Sequence, residues 1–263
     1  MFNPYRALTP QQARTLGGAG MAAVLLAWAL LSGTGLVSPV KLPAPWDVAG
    51  ALVQLSWDAQ RGTSPLLVAT LWSCGRVLAA GLLVIGLGVP LGVAMGASPR
   101  INAVLSPLID PFRSAPLVAV LPILVMWLGI GEAMKVAFLF LGAVVYLVPM
   151  VRDAVRAVPH TFYTSAVDLG ATDLEAVRLA VLPMAMPRIA DAVTVGVSVM
   201  WTYITVAEYV NAEKGLGQLI QNSRRFSAMD QVFAGIFVII ALALISHTLM
   251  VALRRRLYAW ETS

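Results

Sequence analysis

Long apolar runs separated by short polar segments dominate the chain. Runs of about 20 residues or more can cross a hydrocarbon core roughly 30 Å thick as helices; they cover residues 15–37, 64–96, 114–131, 133–155, 187–210 and 231–253. Two shorter segments, 47–61 and 98–113, have apolar residues at helical spacing and favour helices at the membrane surface. The pattern predicts an all-α membrane protein with about six transmembrane helices and short interfacial helices.

The composition supports a membrane protein that forms one domain. Hydrophobic residues make up 59% of the 263 residues and charged residues 12%, whereas a soluble domain has about 25% charged residues. No long polar linker interrupts the chain, which predicts a single membrane domain over residues 1–263. A cleaved signal peptide is the alternative for the first run, but its span length and the lack of a clear cleavage site favour a retained helix.

The basic residues predict the orientation in the membrane. With the N-terminus inside, the inner segments hold Arg6, Arg14, Arg100, Arg113, Arg152, Arg156, Arg178, Arg188, Arg254, Arg255 and Arg256. The outer segments hold only Lys41, Arg61, Lys135, Lys214, Arg224 and Arg225. Because Lys and Arg concentrate on the cytoplasmic side, both termini (1–14 and 254–263) and segment 159–187 are predicted to be cytoplasmic. Segment 211–230 is predicted to be periplasmic or re-entrant.

The sequence carries none of the catalytic or cofactor motifs that would make this chain an enzyme. A nucleotide-binding loop of the Gly-x-x-x-x-Gly-Lys-[Ser/Thr] type is absent. The two histidines, His160 and His247, stand alone, and Cys74 is the only cysteine, so neither a metal site nor an internal disulfide is predicted. The formal net charge of +5 comes from arginines beside the apolar runs, so the expected partner is the lipid bilayer and not a nucleic acid.

The polar segment between the fourth and fifth runs predicts a functional feature. It contains Asp168, Asp173, Glu175, Arg178 and Arg188 and is too polar to cross lipid. The pattern predicts two short helices with a break at Gly170, where glycine permits a sharp turn, and Pro183 is expected to end the second helix. The segment either docks on another protein or folds back on its own bundle.

This segment resembles the cytoplasmic motif of bacterial ABC-importer permeases, which reads Glu-Ala-Ala-x-x-x-Gly, then nine residues, then Ile-x-Leu-Pro. Aligned on Gly170, the spacing is kept and the match ends in Leu182-Pro183, while Thr164 and Ser165 replace the Glu and the first Ala. The resemblance implies contact with an ATPase subunit through Thr164, Ser165, Ala166, Val167, Asp168, Leu169, Gly170, Ala180, Leu182 and Pro183.

Three further stretches, in chain order, are similar to the nitrate/sulfonate/taurine subgroup of these permeases. The first is residues 70–81, and the second combines 116–122, 127–132 and Lys135. The third lies in the last third of the chain and combines 207–209, 215–220 and 233–235. The resemblance implies the architecture of a type I ABC-importer permease in the bacterial inner membrane. The implied partners are a second copy in a homodimer, two ATPase subunits that bind ATP and Mg on the cytoplasmic face, and a periplasmic substrate-binding protein.

The cargo expected from this resemblance is a small anion such as nitrate, a sulfonate, taurine or bicarbonate. A small cationic or aromatic vitamin precursor is the alternative cargo. A self-sufficient secondary transporter or channel is the alternative function, but it would need ionisable residues deep in several spans. A non-transporting scaffold would have no need for the spacing from Gly170 to Pro183.

Polar and aromatic residues within the spans are candidates for the substrate path, because intramembrane polar groups tend to face a cavity or the bundle interior. The candidates are Met126, Trp127, Met200, Trp201, Tyr203 and Glu208. Glu208 is expected near the outer end of its span, where it meets substrate or pairs with Lys214 or Arg76. Arg76 is expected to extend toward the outer headgroups.

A glycine stripe in the second span has two interpretations. Gly88, Gly92 and Gly96 recur at intervals of four and would let another helix approach closely. That helix belongs either to the same chain or to another subunit.

Overall fold

A computed structural model describes residues 9–57, 63–210 and 213–262, and these residues are almost wholly helical. In chain order the helices are α1 (Pro10–Gly33), α2 (Pro45–Ser56), α3 (Pro65–Ala97), α4 (Pro99–Ile109), α5 (Leu121–Leu128), α6 (Glu132–Arg156), α7 (His160–Asp168), α8 (Asp173–Tyr209), α9 (Leu216–Arg225) and α10 (Met229–Leu257). Arg6, Arg61 and Asn211, which entered the predictions above, lie outside the described residues.

Five of the described helices are long and apolar enough to cross a membrane, namely α1, α3, α6, α8 and α10. The prediction of a membrane protein with about six spans is confirmed. The third predicted span, 114–131, is not a continuous helix, however. The short helical stretch Leu117–Leu128 is bent by 103° against the preceding stretch Pro99–Arg113.

The bend lies in the break between Arg113 and Leu117, where Pro116 is extended and interrupts the helix. Gly129, with a φ of +70°, ends the second piece. A stretch of 12 residues rises only about 18 Å as a helix, too little to cross alone. The two bent pieces are either one broken span or a re-entrant loop, and counted as one span they bring the number of candidates to six.

Two of the long helices contain a single π-turn, and both π-turns lie directly before a Xaa-Pro pair. Val84–Gly88 precedes Val89-Pro90 in α3, and Val177–Val181 precedes Leu182-Pro183 in α8. Proline lacks an N–H and clashes with the carbonyl four residues earlier, and the wider turn accommodates both effects. The prediction that Pro183 ends a helix is therefore wrong, since α8 continues to Tyr209.

The chain divides into two compact units, of which the first comprises residues 1–66 and 220–237. Its small core joins Val48 and Ala51 of α2 to Ala234 of α10. The Trp28 ring of α1 lies 5.7 Å from the Phe237 ring, and its indole N–H donates to the Pro43 carbonyl at 3.0 Å. These contacts hold α2 against α1 and α10.

The second unit comprises residues 67–219 and 238–263 and is built around α6, the most buried of the candidate spans. The glycine stripe of α3 packs on α6. A Cβ at Gly92 would lie 2.6 Å from Val151 Cβ, and one at Gly96 would lie 2.6 Å from Val155 Cβ. The glycine stripe therefore packs against a helix of the same chain, which was one of the two interpretations of the sequence.

Candidate coupling segment and buried ion cluster

The candidate coupling segment, residues 159–187, begins with α7, and a left-handed glycine follows the end of this helix. Gly170 has a φ of +92°, which L-residues with a side chain rarely adopt. Its N–H donates to the Val167 carbonyl at 2.8 Å, and the Ala171 N–H donates to the Ala166 carbonyl at 3.1 Å. These bonds satisfy the carbonyls at the end of α7, and the predicted break at Gly170 is confirmed.

The first turn of α8 is fixed by two side-chain contacts. The Thr172 hydroxyl accepts from the Glu175 N–H at 3.4 Å, while the Glu175 carboxylate accepts from the Thr172 N–H at 2.9 Å. This reciprocal pair is a capping box. The Tyr163 hydroxyl of α7 donates to Asp173 Oδ1 at 2.7 Å, and this bond raises the pKa of the Tyr163 phenol. The contacts join α7 to the start of α8.

Large apolar side chains project from this polar segment without cover from the rest of the chain. Leu169 is 90% exposed, Leu174 76% and Leu179 71%. Among the residues that the resemblance assigns to coupling, Ser165, Val167, Asp168, Gly170 and Pro183 are also exposed, whereas Thr164, Ala166, Ala180 and Leu182 are half-buried. Leu174 and Leu179 lie in the first turns of α8, whose 37 residues exceed the roughly 20 that cross a bilayer. Exposed apolar side chains beyond the bilayer are typical of a surface that another protein covers.

An ion cluster, buried at Arg76, Lys135 and Glu208 but half-exposed at Glu132, joins three of the candidate spans. Arg76 of α3 donates through Nε and Nη2 to the two carboxylate oxygens of Glu132, at 2.6 and 2.8 Å, and through Nη1 to Glu208 Oε1 at 2.7 Å. Lys135 Nζ donates to Glu132 Oε1 at 2.9 Å. Two cations and two carboxylates thus form an electrically balanced cluster, and the paired geometry at Glu132 is the strong form of an arginine–carboxylate contact.

Glu208 is fully enclosed and every contact to it comes from the same unit. Ser73 Oγ donates to Oε1 at 2.7 Å and the Gly217 N–H donates to Oε2 at 2.6 Å. Arg76 is only 3% exposed, so the prediction that it extends to the headgroups is wrong. The predicted pair between Glu208 and Arg76 is confirmed. The Lys214 carbonyl accepts a hydrogen bond from Arg76 Nη1 at 2.8 Å, and its side chain does not pair with Glu208.

Sequence reasoning gave no role in this cluster to Glu132, Lys135 and Ser73. The sequence does contain an indication of the cluster, because an arginine within an apolar span needs a counter-ion. Glu132 and Lys135 are also three residues apart and can pair on one helix.

Among the described residues, no group of three His, Cys, Asp or Glu side chains is arranged to hold a metal ion.

The six candidates for the substrate path differ in their exposure. Met126 and Trp127 are 74% and 73% exposed, whereas Met200 and Trp201 are buried. The Trp201 indole N–H donates to Ser246 Oγ at 3.0 Å, and the Tyr203 ring contacts the Phe138 ring edge-on at 5.6 Å. The candidates on α8 are thus packed inside the second unit.

Helices long and apolar enough to cross a membrane define a multi-pass membrane protein. The chain belongs to the family of binding-protein-dependent transport system inner membrane components, whose sequence profile matches residues 88–258. It is a permease subunit of an ABC importer for small solutes, of the sulfonate/taurine type.

Two relatives support this assignment over most of the chain. The taurine transport system permease protein TauC of Escherichia coli (strain K12) is 33% identical over 94% of this chain and 90% of the relative. SsuC of Bacillus subtilis (strain 168), described as a candidate permease for aliphatic sulfonates, is 27% identical over 92% of this chain and 86% of its own length.

A solved structure supports the fold. A chain of the MetNI methionine ABC transporter in an inward-facing conformation superposes with a TM-score of 0.64 at 23% identity, covering 73% of this chain and 95% of that chain. The expected architecture of a type I ABC-importer permease is confirmed.

Proposed function

We propose that segment 159–187 is the element through which separate ATPase subunits on the cytoplasmic face drive this permease. The observation that carries this proposal is the exposure of Leu169, Leu174 and Leu179 on a segment too polar for lipid. ATP and Mg bind to the partner ATPase in this scheme, and this chain hydrolyses no ATP. It receives mechanical work instead.

The contacts within the segment supply a route for that work. The hydrogen bond from Tyr163 to Asp173 and the turn at Gly170 fix α7 against the first turn of α8. Helix α8 then runs from Asp173 to Tyr209 and packs along α6. A displacement of α7 by a closing ATPase is therefore passed to a membrane-crossing helix, a common way to convert a local contact into domain motion.

The proposal is tested at Gly170. A Gly170→Val variant forces a β-branched residue to a φ of +92°, so we expect the turn to rearrange and solute uptake in reconstituted vesicles to fall at least roughly tenfold, since such strain costs on the order of 1–3 kcal/mol. The amount of ATPase that co-purifies with the permease should fall as well.

A Gly170→Asn variant is the matched control, because asparagine tolerates the left-handed region better than other side chains. No neighbouring atom lies within 4 Å of a Cβ at this position, so the backbone conformation is the only difference tested. Normal uptake and ATPase retention in Gly170→Val at equal expression would refute the coupling role.

We propose further that the cargo is taurine or an aliphatic sulfonate. The 33% identity with TauC over 94% of this chain supports this choice. In the reconstituted importer with its binding protein, labelled taurine should be taken up only with ATP, and an excess of an alkanesulfonate should compete. Competition by a cationic vitamin precursor but not by a sulfonate would favour the alternative cargo, and uptake by the permease alone would favour a secondary transporter or channel.

For the substrate path, we propose that Met126 and Trp127 line it in the assembled importer, since both are exposed in the single chain. In this proposal Met200, Trp201 and Tyr203 do not line the path but support its lining residues from inside the protein. Glu208 positions α3 and α8 through Arg76 rather than contacting the substrate, because its two oxygens already accept three hydrogen bonds. Uptake assays of Met126→Cys and Trp127→Cys before and after thiol modification test this, since unaltered uptake in both would remove them from the path.

A further inference from the structure

Helix α2 has apolar residues on two opposite faces. One face is buried in the first unit through Val48 and Ala51, together with the partly buried Leu52 and Leu55. The opposite side carries a stripe at helical spacing, which we call the outer stripe: Trp46, Gly50, Val53 and Trp57. A surface helix of a soluble protein needs only the first face to be apolar.

Within the part of the chain that the structure describes, the outer stripe is uncovered. Trp46 is 60% exposed, Val53 73% and Trp57 64%. Polar residues flank it, with Asp47 and Gln54 on one side and Ser56 on the other. The sequence prediction of an interfacial helix over 47–61 did not separate these two faces.

The position of α2 places this stripe beside the end of a membrane-crossing helix. The tip of the Trp46 ring lies 3.6 Å from the Cβ position of Gly33, the last residue of α1. The Asp47 carboxylate accepts from the Ala44 N–H at 3.3 Å and fixes the start of α2. The outer stripe is thus held beside the end of α1.

We propose that α2 lies in the plane of the membrane surface and that the outer stripe inserts into the lipid headgroup region. Tryptophan at both ends suits this region, where an indole places its apolar body in lipid and its N–H in water. Helix α2 carries Asp47 as its only charged residue, so burial of apolar area drives insertion and anionic lipids are not required. The inserted helix fixes the height of the first unit relative to the bilayer.

The test uses the full chain in vesicles of phosphatidylcholine, with Cys74→Ser as a cysteine-free background. Val53→Cys and Gln54→Cys form a matched pair, because both positions are exposed on α2 and differ only in the face they occupy. A charged, water-soluble thiol reagent should modify position 53 roughly tenfold more slowly than position 54, because only the thiolate reacts and lipid disfavours it.

A second measurement separates lipid from other causes of slow modification. With a fluorophore on each cysteine, lipids brominated near the headgroup should quench the label at position 53 and leave that at position 54 nearly unchanged. Equal modification rates at the two positions in the absence of other proteins would overturn the proposal. Protection of position 53 only after addition of the substrate-binding protein would overturn it too and assign the stripe to that protein.

Discussion

At the residue scale, Arg76 and Glu208 show how a charge is kept inside a membrane protein. The two residues are 132 positions apart in the sequence, yet Nη1 and Oε1 lie 2.7 Å apart. Removing one charge from a buried pair leaves the other without compensation, which costs more than the pair itself contributes. The cluster therefore makes the relative positions of α3, α6 and α8 depend on one guanidinium.

An Arg76→Met variant should lower the thermal stability of the detergent-solubilised permease strongly, with a loss of roughly 3–5 kcal/mol, the usual cost of breaking a buried pair. Arg76→Lys should lose less, because lysine keeps the charge but not the two-pronged contact with Glu132. Arg100→Met on exposed α4 serves as the control. A shift for Arg76→Met no larger than that for Arg100→Met would show that the cluster adds nothing to stability.

Only part of this cluster could be predicted from the sequence. An arginine inside an apolar run shows that a partner exists, and Arg76 was one of two partners considered for Glu208. The enclosing groups could not be predicted, because Ser73 Oγ and the Gly217 N–H reach Glu208 through the tertiary fold. Exposure at Leu169, Leu174 and Leu179 also depends on how neighbouring elements pack, which periodicity alone does not determine.

At the element scale, the contact between α3 and α6 depends on the absence of side chains. Beside the 2.6 Å approach to Val151 Cβ, a Cβ at Gly92 would lie 2.8 Å from the Val148 carbonyl oxygen. Backbone cannot move away from such a contact as a flexible side chain can. The two helices would have to separate.

A Gly92→Ala variant should therefore destabilise the permease by about 1–3 kcal/mol, the usual cost of overpacking. Gly81→Ala in the same helix is the matched control, since no atom lies within 4 Å of its Cβ position and alanine favours helix more than glycine. Thermal unfolding of both variants in one detergent checks the difference. Equal melting temperatures would contradict the close approach.

The elements themselves were the most predictable part of the fold, because run length and helical spacing determine them directly. The failures occur at prolines. Hydropathy averaged over 114–131 conceals the interruption at Pro116, and Pro183 was expected to stop a helix that in fact continues. The π-turn that allows continuation has no hydropathy signal.

At the scale of the whole molecule, α1 and α10 leave most of their apolar surface uncovered in a single chain. Lipid covers such a surface in a membrane, and so does a second copy. We propose that two copies of this chain form the importer together with two ATPase subunits. Native mass spectrometry of the purified complex should show this stoichiometry, and a second, different permease chain would refute it.

The proposed orientation places both termini in the cytoplasm, since Arg254, Arg255 and Arg256 end the last span. A reporter that is active only in the cytoplasm should work when fused after residue 263. A reporter that needs export should work when inserted next to Phe226, which is exposed beyond the end of α9. If the cytoplasmic reporter worked next to Phe226 and the export-dependent reporter worked after residue 263, the topology would be the reverse of the one proposed.

The π-turn at Val177–Val181 sets the direction in which α7 and the first turn of α8 face. There the Leu182 N–H donates five residues back, to Val177, so the turn holds one residue more than a regular helix. Each residue of an α-helix corresponds to a rotation of about 100°. Deleting one residue there would leave Leu169, Leu174 and the Gly170 turn intact but rotate them by about that angle around the axis of α8. The extra residue thus sets the angle at which the proposed ATPase-binding surface faces its partner.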